Sequence, residues 1–77
     1  MGRVRRFFGG RSTKYRQNDL VKLGDSAPYS HISTGMVGVV MGVYVGPDTS
    51  YDVEFLDARG GVLDRMVVKE VHLLDVD

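Results

Sequence analysis

Apolar positions recur at a spacing of two along much of this chain and nowhere trace a sustained helical face. The clearest alternation is Tyr51-Asp52-Val53-Glu54-Phe55: Tyr51, Val53 and Phe55 point one way, Asp52 and Glu54 the other. That is a half-buried strand with a wet face. Upstream, residues 36–45 form a valine-rich strand. If it is straight, Val37, Val39, Met41, Val43 and Val45 share one face and Val40 and Tyr44 the other. Both faces are then apolar, which fits a strongly bent strand shared between two layers. Gly38 and Gly42 mark where it bulges or admits another strand closely. The run Gly-Pro-Asp-Thr-Ser at 46–50 joins the two strands, with Pro47 fixing φ at the first corner.

The rest of the chain reads as shorter pieces of the same kind. Residues 19–23 are a first strand ended by Gly24. Residues 24–34, rich in Gly, Ser, Pro and Thr, are a long loop that Tyr29 and Ile32 can pin to a core. Ala58-Arg59-Gly60-Gly61 is a turn, 62–69 a fourth strand, 69–73 a short 3₁₀ turn and 74–76 a brief last strand. The expected fold is all-β: a small five-stranded SH3-like barrel with a 3₁₀ turn before its last strand and a basic N-terminal arm. Closure would give a small chain a shared core and remove most open edges. The expected core is Val21, Leu23, Val37, Val40, Val43, Val53, Phe55, Val67, Val71 and Leu74. Each such side chain stabilises by roughly 1.5–3 kcal/mol before chain entropy, which nearly cancels the sum. The competing five-stranded OB barrel usually carries a helix between strands three and four, where this chain has only a four-residue turn.

The string G-x-V-G-x-V-x-x-V at 35–43, followed by Y-x-V-E-F-x-D at 51–57, resembles the small SH3-like family DUF4926. Asp19-Leu20-Val21 upstream and the terminal Val-x-x-Leu of Val71 and Leu74 extend the resemblance over about residues 18–76. Valine-glycine hairpins of this kind also occur in KOW-type modules. The first loop departs from the family pattern, carrying Tyr29, His31 and Ile32 where an acidic, leucine-bearing segment is usual. The resemblance implies a fold and transfers no chemistry.

Charge changes the picture more than composition does. The 77 residues balance to a net charge of zero, but residues 1–16 hold Arg3, Arg5, Arg6, Arg11, Lys14 and Arg16 and no acid. The remainder sets Lys22, Arg59, Arg65 and Lys69 against all ten acids. We read 1–16 as a basic arm, either flexible or ordered by contact, punctuated by Gly9-Gly10 and Ser12-Thr13, and 17–77 as the barrel domain. The chain lacks cysteine, which excludes disulfides and thiolate metal sites. No apolar run approaches the roughly 18–20 residues of a membrane span. No apolar stretch follows the first arginines as a secretory signal requires, and Arg6 stands where a myristoylation motif wants Ser or Thr. A cytoplasmic protein is expected.

No set of residues reads as catalytic, so the chain is expected not to be an enzyme, with no cofactor, metal or small-molecule substrate. Ser30-His31 with Ser33 is the one local nucleophile-and-base candidate, and in a Ser/Thr-rich loop it is turn chemistry first. Asp52, Glu54 and Asp57 raise the idea of paired carboxylates or a metal site, but alternating acids on the outer face of a strand are ordinarily solvated. His72, between Val71 and Leu73, reads as a structural histidine. The glycines at 35, 38, 42 and 46 precede no helix and no Gly-Lys-Ser/Thr, so they are not a phosphate loop.

The expected function is therefore a non-enzymatic interaction module that binds protein, including a second copy of itself as a homo-oligomer. Phe7, Phe8, Tyr29, Tyr44 and Tyr51 are its contact residues. The alternative is a nucleic-acid contact in which Arg3, Arg5, Arg6, Arg11, Lys14 and Arg16 neutralise phosphates while Phe7, Phe8 and Tyr15 stack on bases. The net acidic body behind the arm counts against it.

Overall fold

A computed structural model describes residues 13–25, 28–29 and 32–76. They form a single five-stranded antiparallel sheet: β1 (Leu20–Leu23), β2 (Val37–Tyr44), β3 (Ser50–Leu56), β4 (Val62–Lys69) and β5 (Leu73–Asp75). The spatial order is β4-β3-β2-β1-β5, and one 3₁₀ turn, Glu70–His72, links β4 to β5. The described residues are thus all-β, in keeping with the period of two. Among the described residues no helix is long and apolar enough to cross a membrane.

The bend expected in β2 is a bulge. Val40 pairs with Val53 and Gly42 with Asp52, so Met41 is an extra residue without a partner. The insertion shifts the inward parity from Gly38 and Val40 to Val43, which is how both faces of one strand come to be apolar. Gly38 is where β3 comes closest. A Cβ built there would lie 2.6 Å from Val53 Cγ1 and 3.0 Å from both the Glu54 carbonyl oxygen and Phe55 Cδ1. The long first loop is closed at its base by Leu23 N–H to the Met36 carbonyl (3.0 Å) and Gly35 N–H to the Leu23 carbonyl (2.7 Å), with Gly35 in the left-handed region at φ 86°.

The core is Tyr15, Val21, Leu23, Ile32, Val40, Tyr51, Val53, Phe55, Val68 and Leu73. Val21, Leu23, Val40, Val53 and Phe55 take their expected places, and Val43 packs against the cluster half-buried. Four expected core residues do not. Val67 is exposed because Tyr51, which points inward, pairs with Val68, placing Val67 opposite Asp52 on the outer face. Val37 is half-buried and pairs with Lys22, on the outer face beside Leu20 and Val39. Val71, 78% exposed, sits on the 3₁₀ turn. That turn ends one residue earlier than the sequence suggests, so Leu73 rather than Leu74 enters the core opposite Leu23.

Tyr15, assigned from sequence to the arm, is buried in this core. Residues 16–19 then make a tight turn: Asp19 N–H donates to the Arg16 carbonyl (3.1 Å), and Arg16 N–H to Asp19 Oδ2 (2.9 Å). Asn18 takes the left-handed φ of 76° and donates its N–H to the Val40 carbonyl at 2.7 Å.

Candidate functional site

The densest polar cluster ties residues 13–16 to the end of the chain. Tyr15 N–H donates to Tyr51 Oη at 3.1 Å, and the Tyr51 hydroxyl donates to Glu70 Oε2, which also accepts Lys14 N–H at 3.1 Å. The Tyr15 hydroxyl donates to Asp75 Oδ1 at 2.9 Å, and its ring meets that of Tyr51 edge-on, centroids 5.5 Å apart. Lys14 Nζ lies 5.5 Å from the Tyr15 ring centroid, a distance at which a cation is attracted to the ring face. Burial, then the bond to Asp75, raises the Tyr15 hydroxyl well above an ordinary tyrosine. Burial, then the bond to Glu70, raises that of Tyr51. Both stay protonated donors at neutral pH, so the cluster is a fixed anchor with no proton to exchange there.

The expected contact residues occupy separate environments. Tyr51 has no exposed surface and belongs to the core. Tyr29 is half-buried; its hydroxyl is 3.2 Å from His72 Nδ1 and its ring stands edge-on to the imidazole at 5.6 Å. This contact, with Gly24 N–H donating to the His72 carbonyl at 2.8 Å, fastens the first loop to the 3₁₀ turn. Tyr44, 55% exposed, ends β2 on the face that carries Asp52. Phe7, Phe8, Arg3, Arg5, Arg6 and Arg11 lie outside the described residues, as do Ser30 and His31. Lys14 and Arg16 are exposed on either side of buried Tyr15.

The carboxylates have structural partners. Arg65 makes a two-nitrogen contact with Asp52, Nη2 to Oδ2 at 2.7 Å and Nε to Oδ1 at 3.0 Å, and its Nη1 lies 3.8 Å from Glu54. The guanidinium holds the Asp52 carboxyl below its ordinary value. Asp57 closes the turn into β4 through its Oδ1, which accepts Arg59 N–H and Gly61 N–H, each at 2.9 Å. Among the described residues no group of three His, Asp or Glu side chains is placed to hold a metal ion.

Two features escape a reading by sequence. Tyr15 finds partners 36 and 60 residues away, which no local pattern announces. The other is the position of β4, which has its expected bounds Val62–Lys69 but lies at one edge of the sheet. Its Val62, Leu63 and Val67 side chains are 59%, 47% and 55% exposed. A signal for Val67 was available: it shares its parity with Arg65 and Lys69, two residues that belong outside. Compared with family models, curated proteins and solved structures, the chain matches none.

Proposed function

We infer that the chain is a non-enzymatic SH3-like module that binds protein and self-associates through its basic segment and its barrel. The strand order β4-β3-β2-β1-β5 with a 3₁₀ turn before the last strand supports an SH3-like arrangement that leaves β4 at an edge. The observation that carries the interaction reading is the apolar surface along β4, an edge strand whose Val62, Leu63 and Val67 side chains lie uncovered among the described residues. The anchoring of Tyr15 adds to it. The tyrosine fixes residues 13–16, with exposed Lys14 and Arg16, beside Glu70 and Asp75 of the acidic body. Attraction between a basic segment and the acidic body of a second copy favours association at low salt.

Sedimentation of the full chain across concentration and salt tests this reading. The expected result is association that weakens when Arg3, Arg5, Arg6 and Arg11 are replaced by serine, and again as salt rises. Tyr15 is left in place because removing it would damage the core. A mass of 8.5 kDa, that of one chain, at every concentration would overturn self-association. Binding to mixed DNA and RNA at about 50 mM salt that depends on the same arginines would favour nucleic acid instead.

A further inference from the structure

The backbone bonds decide which way each edge of the sheet faces. Val40 spends both its polar backbone groups on the β1 side: its N–H donates to the Asp19 carbonyl and its carbonyl accepts Asn18 N–H. Val53, opposite Val40, therefore directs its own pair toward β4, where it meets Met66. Alternation then turns the N–H and carbonyl groups of Arg65, Val67 and Lys69 outward. Two contacts agree with this parity: Arg65 N–H takes Asp64 Oδ1 at 2.8 Å instead of β3, and Glu70 N–H returns inward to the Thr49 carbonyl at 2.9 Å. Among the described residues, the outward backbone groups of Val67 and Lys69 thus have no strand partner, while Arg65 N–H is held only by its neighbour's side chain, and Val62, Leu63 and Val67 lie exposed beside them.

The opposite edge offers far less. β5 is three residues long. Its Leu73 is buried and gives its N–H to the Glu70 carbonyl, and its Asp75 carboxylate accepts the Tyr15 hydroxyl. A long open edge with apolar flanks is a template for another strand. We propose that β4 pairs antiparallel with β4 of a second copy, about a two-fold axis at Met66, extending one sheet across both chains. This rests on the self-association reading above and names its surface.

Charge selects the register. A two-fold pairing sets residues of one face opposite each other, and axes at Arg65, Met66 or Val67 keep most of the strand in the ladder. An axis at Arg65 opposes two guanidinium groups, and one at Val67 opposes Arg65 to Lys69. The axis at Met66 sets Arg65 against Val67 and Asp64 against Val68, with no like charges facing. Arg65, held by Asp52 and Glu54, then flanks the partner's exposed valine with its ion pair intact.

The chain has no cysteine, so single cysteines can read the register directly. Met66 would be a non-hydrogen-bonded pair across the axis, with Cα atoms about 4.5 Å apart, within the span a disulfide bridges. Under mild oxidation, Met66→Cys in the full chain is expected to yield a doubled mass on a non-reducing gel, while Arg65→Cys and Val67→Cys yield little. Val67→Pro removes an outward N–H and no ladder bond, so it is expected to abolish association measured by sedimentation. The cysteine pattern is independent of how well the proline variant folds. Association without cross-linking at any of the three positions would overturn this inference and leave the broader reading standing. A preference for Arg65→Cys or Val67→Cys would overturn the register. A single-chain mass throughout would overturn both readings.

Discussion

The β2–β3 hairpin and the closing end of the chain (residues 13–19 with the 3₁₀ turn and β5) use opposite means to hold together. The hairpin is a dry contact in which Val40, Val53 and Phe55 are fully buried and Gly38 lets the strands close on one another. The closing end is held by tyrosine hydroxyls and carboxylates, partners that lie 19 to 60 residues apart in the chain. Apolar packing tolerates almost no added volume, because a close-packed interior has nowhere to put it. A polar anchor tolerates volume and instead fails when a partner is lost. The two regions should therefore break under different substitutions.

Gly38→Ala should have the largest effect. The new methyl would press on the stiff, branched Val53 and on the Glu54 carbonyl, and neither is the free end of a flexible side chain. We expect a loss of about 3 kcal/mol, at the upper end of the usual overpacking cost. For a domain of this size that is a large part of its total stability. Denaturant titration would show it, and a loss below about 1 kcal/mol would mean the strands can part there. Gly46→Ala, in open space at the next turn, is the matched control and should be close to neutral.

Glu70→Ala tests the other region. It leaves the Tyr51 hydroxyl without its acceptor while the exposed Lys14 N–H turns to water, and we expect about 2 kcal/mol, chiefly from the orphaned tyrosine donor. Glu70→Gln keeps an oxygen in place and should cost less than about 1 kcal/mol. If the two variants are equally destabilised, the charge of Glu70 rather than its acceptor role holds the end closed.

The same contrast explains what could be read in advance. In the hairpin each residue's fate follows from its neighbours. The alternation of Tyr51, Val53 and Phe55 sets the inward face, and Gly38 and Gly42 bracket the close approach and the bulge. At the closing end the deciding partners are distant. Nothing near Tyr15 distinguishes a core aromatic from one on a basic arm, and nothing near Leu73 and Leu74 fixes where the 3₁₀ turn stops. Val67 and Val68 are the intermediate case. Two adjacent valines are ambiguous alone, and the outward charges at 65 and 69 resolve them. The exposed edge along β4 is the least legible feature, because an edge is a property of strand order and not of any one strand.

A smaller effect separates the regions by pH. The Tyr15 and Tyr51 hydroxyls are both raised, so each contributes stability that is fully present below the unfolded tyrosine value of about 10. That contribution is lost as pH rises through the folded values. Stability should therefore fall above about pH 10. In Tyr15→Phe the decline should be shallower, at a cost of about 1 kcal/mol at neutral pH for the lost bond to Asp75. Stability that falls as steeply in Tyr15→Phe as in the parent would place the alkaline sensitivity elsewhere.

The smallest effect belongs to the outer face of the hairpin, where the pattern of a dry contact gives way to an ion pair. Arg65 lowers the Asp52 carboxyl through a two-nitrogen hydrogen bond. Stability from this pair is thus fully present above the unfolded Asp value of about 3.9 and lost as pH falls through the lower folded one. Arg65 is largely exposed, so water and salt screen the attraction and the loss is slight. Asp52→Asn should flatten the acid limb of a thermal-stability profile at low salt and leave the neutral plateau almost unchanged. Raising salt should make the parent resemble the variant. A plateau that drops markedly in Asp52→Asn would mean that the outer face, like the closing end, depends on its polar contacts and that the hairpin is not held by packing alone.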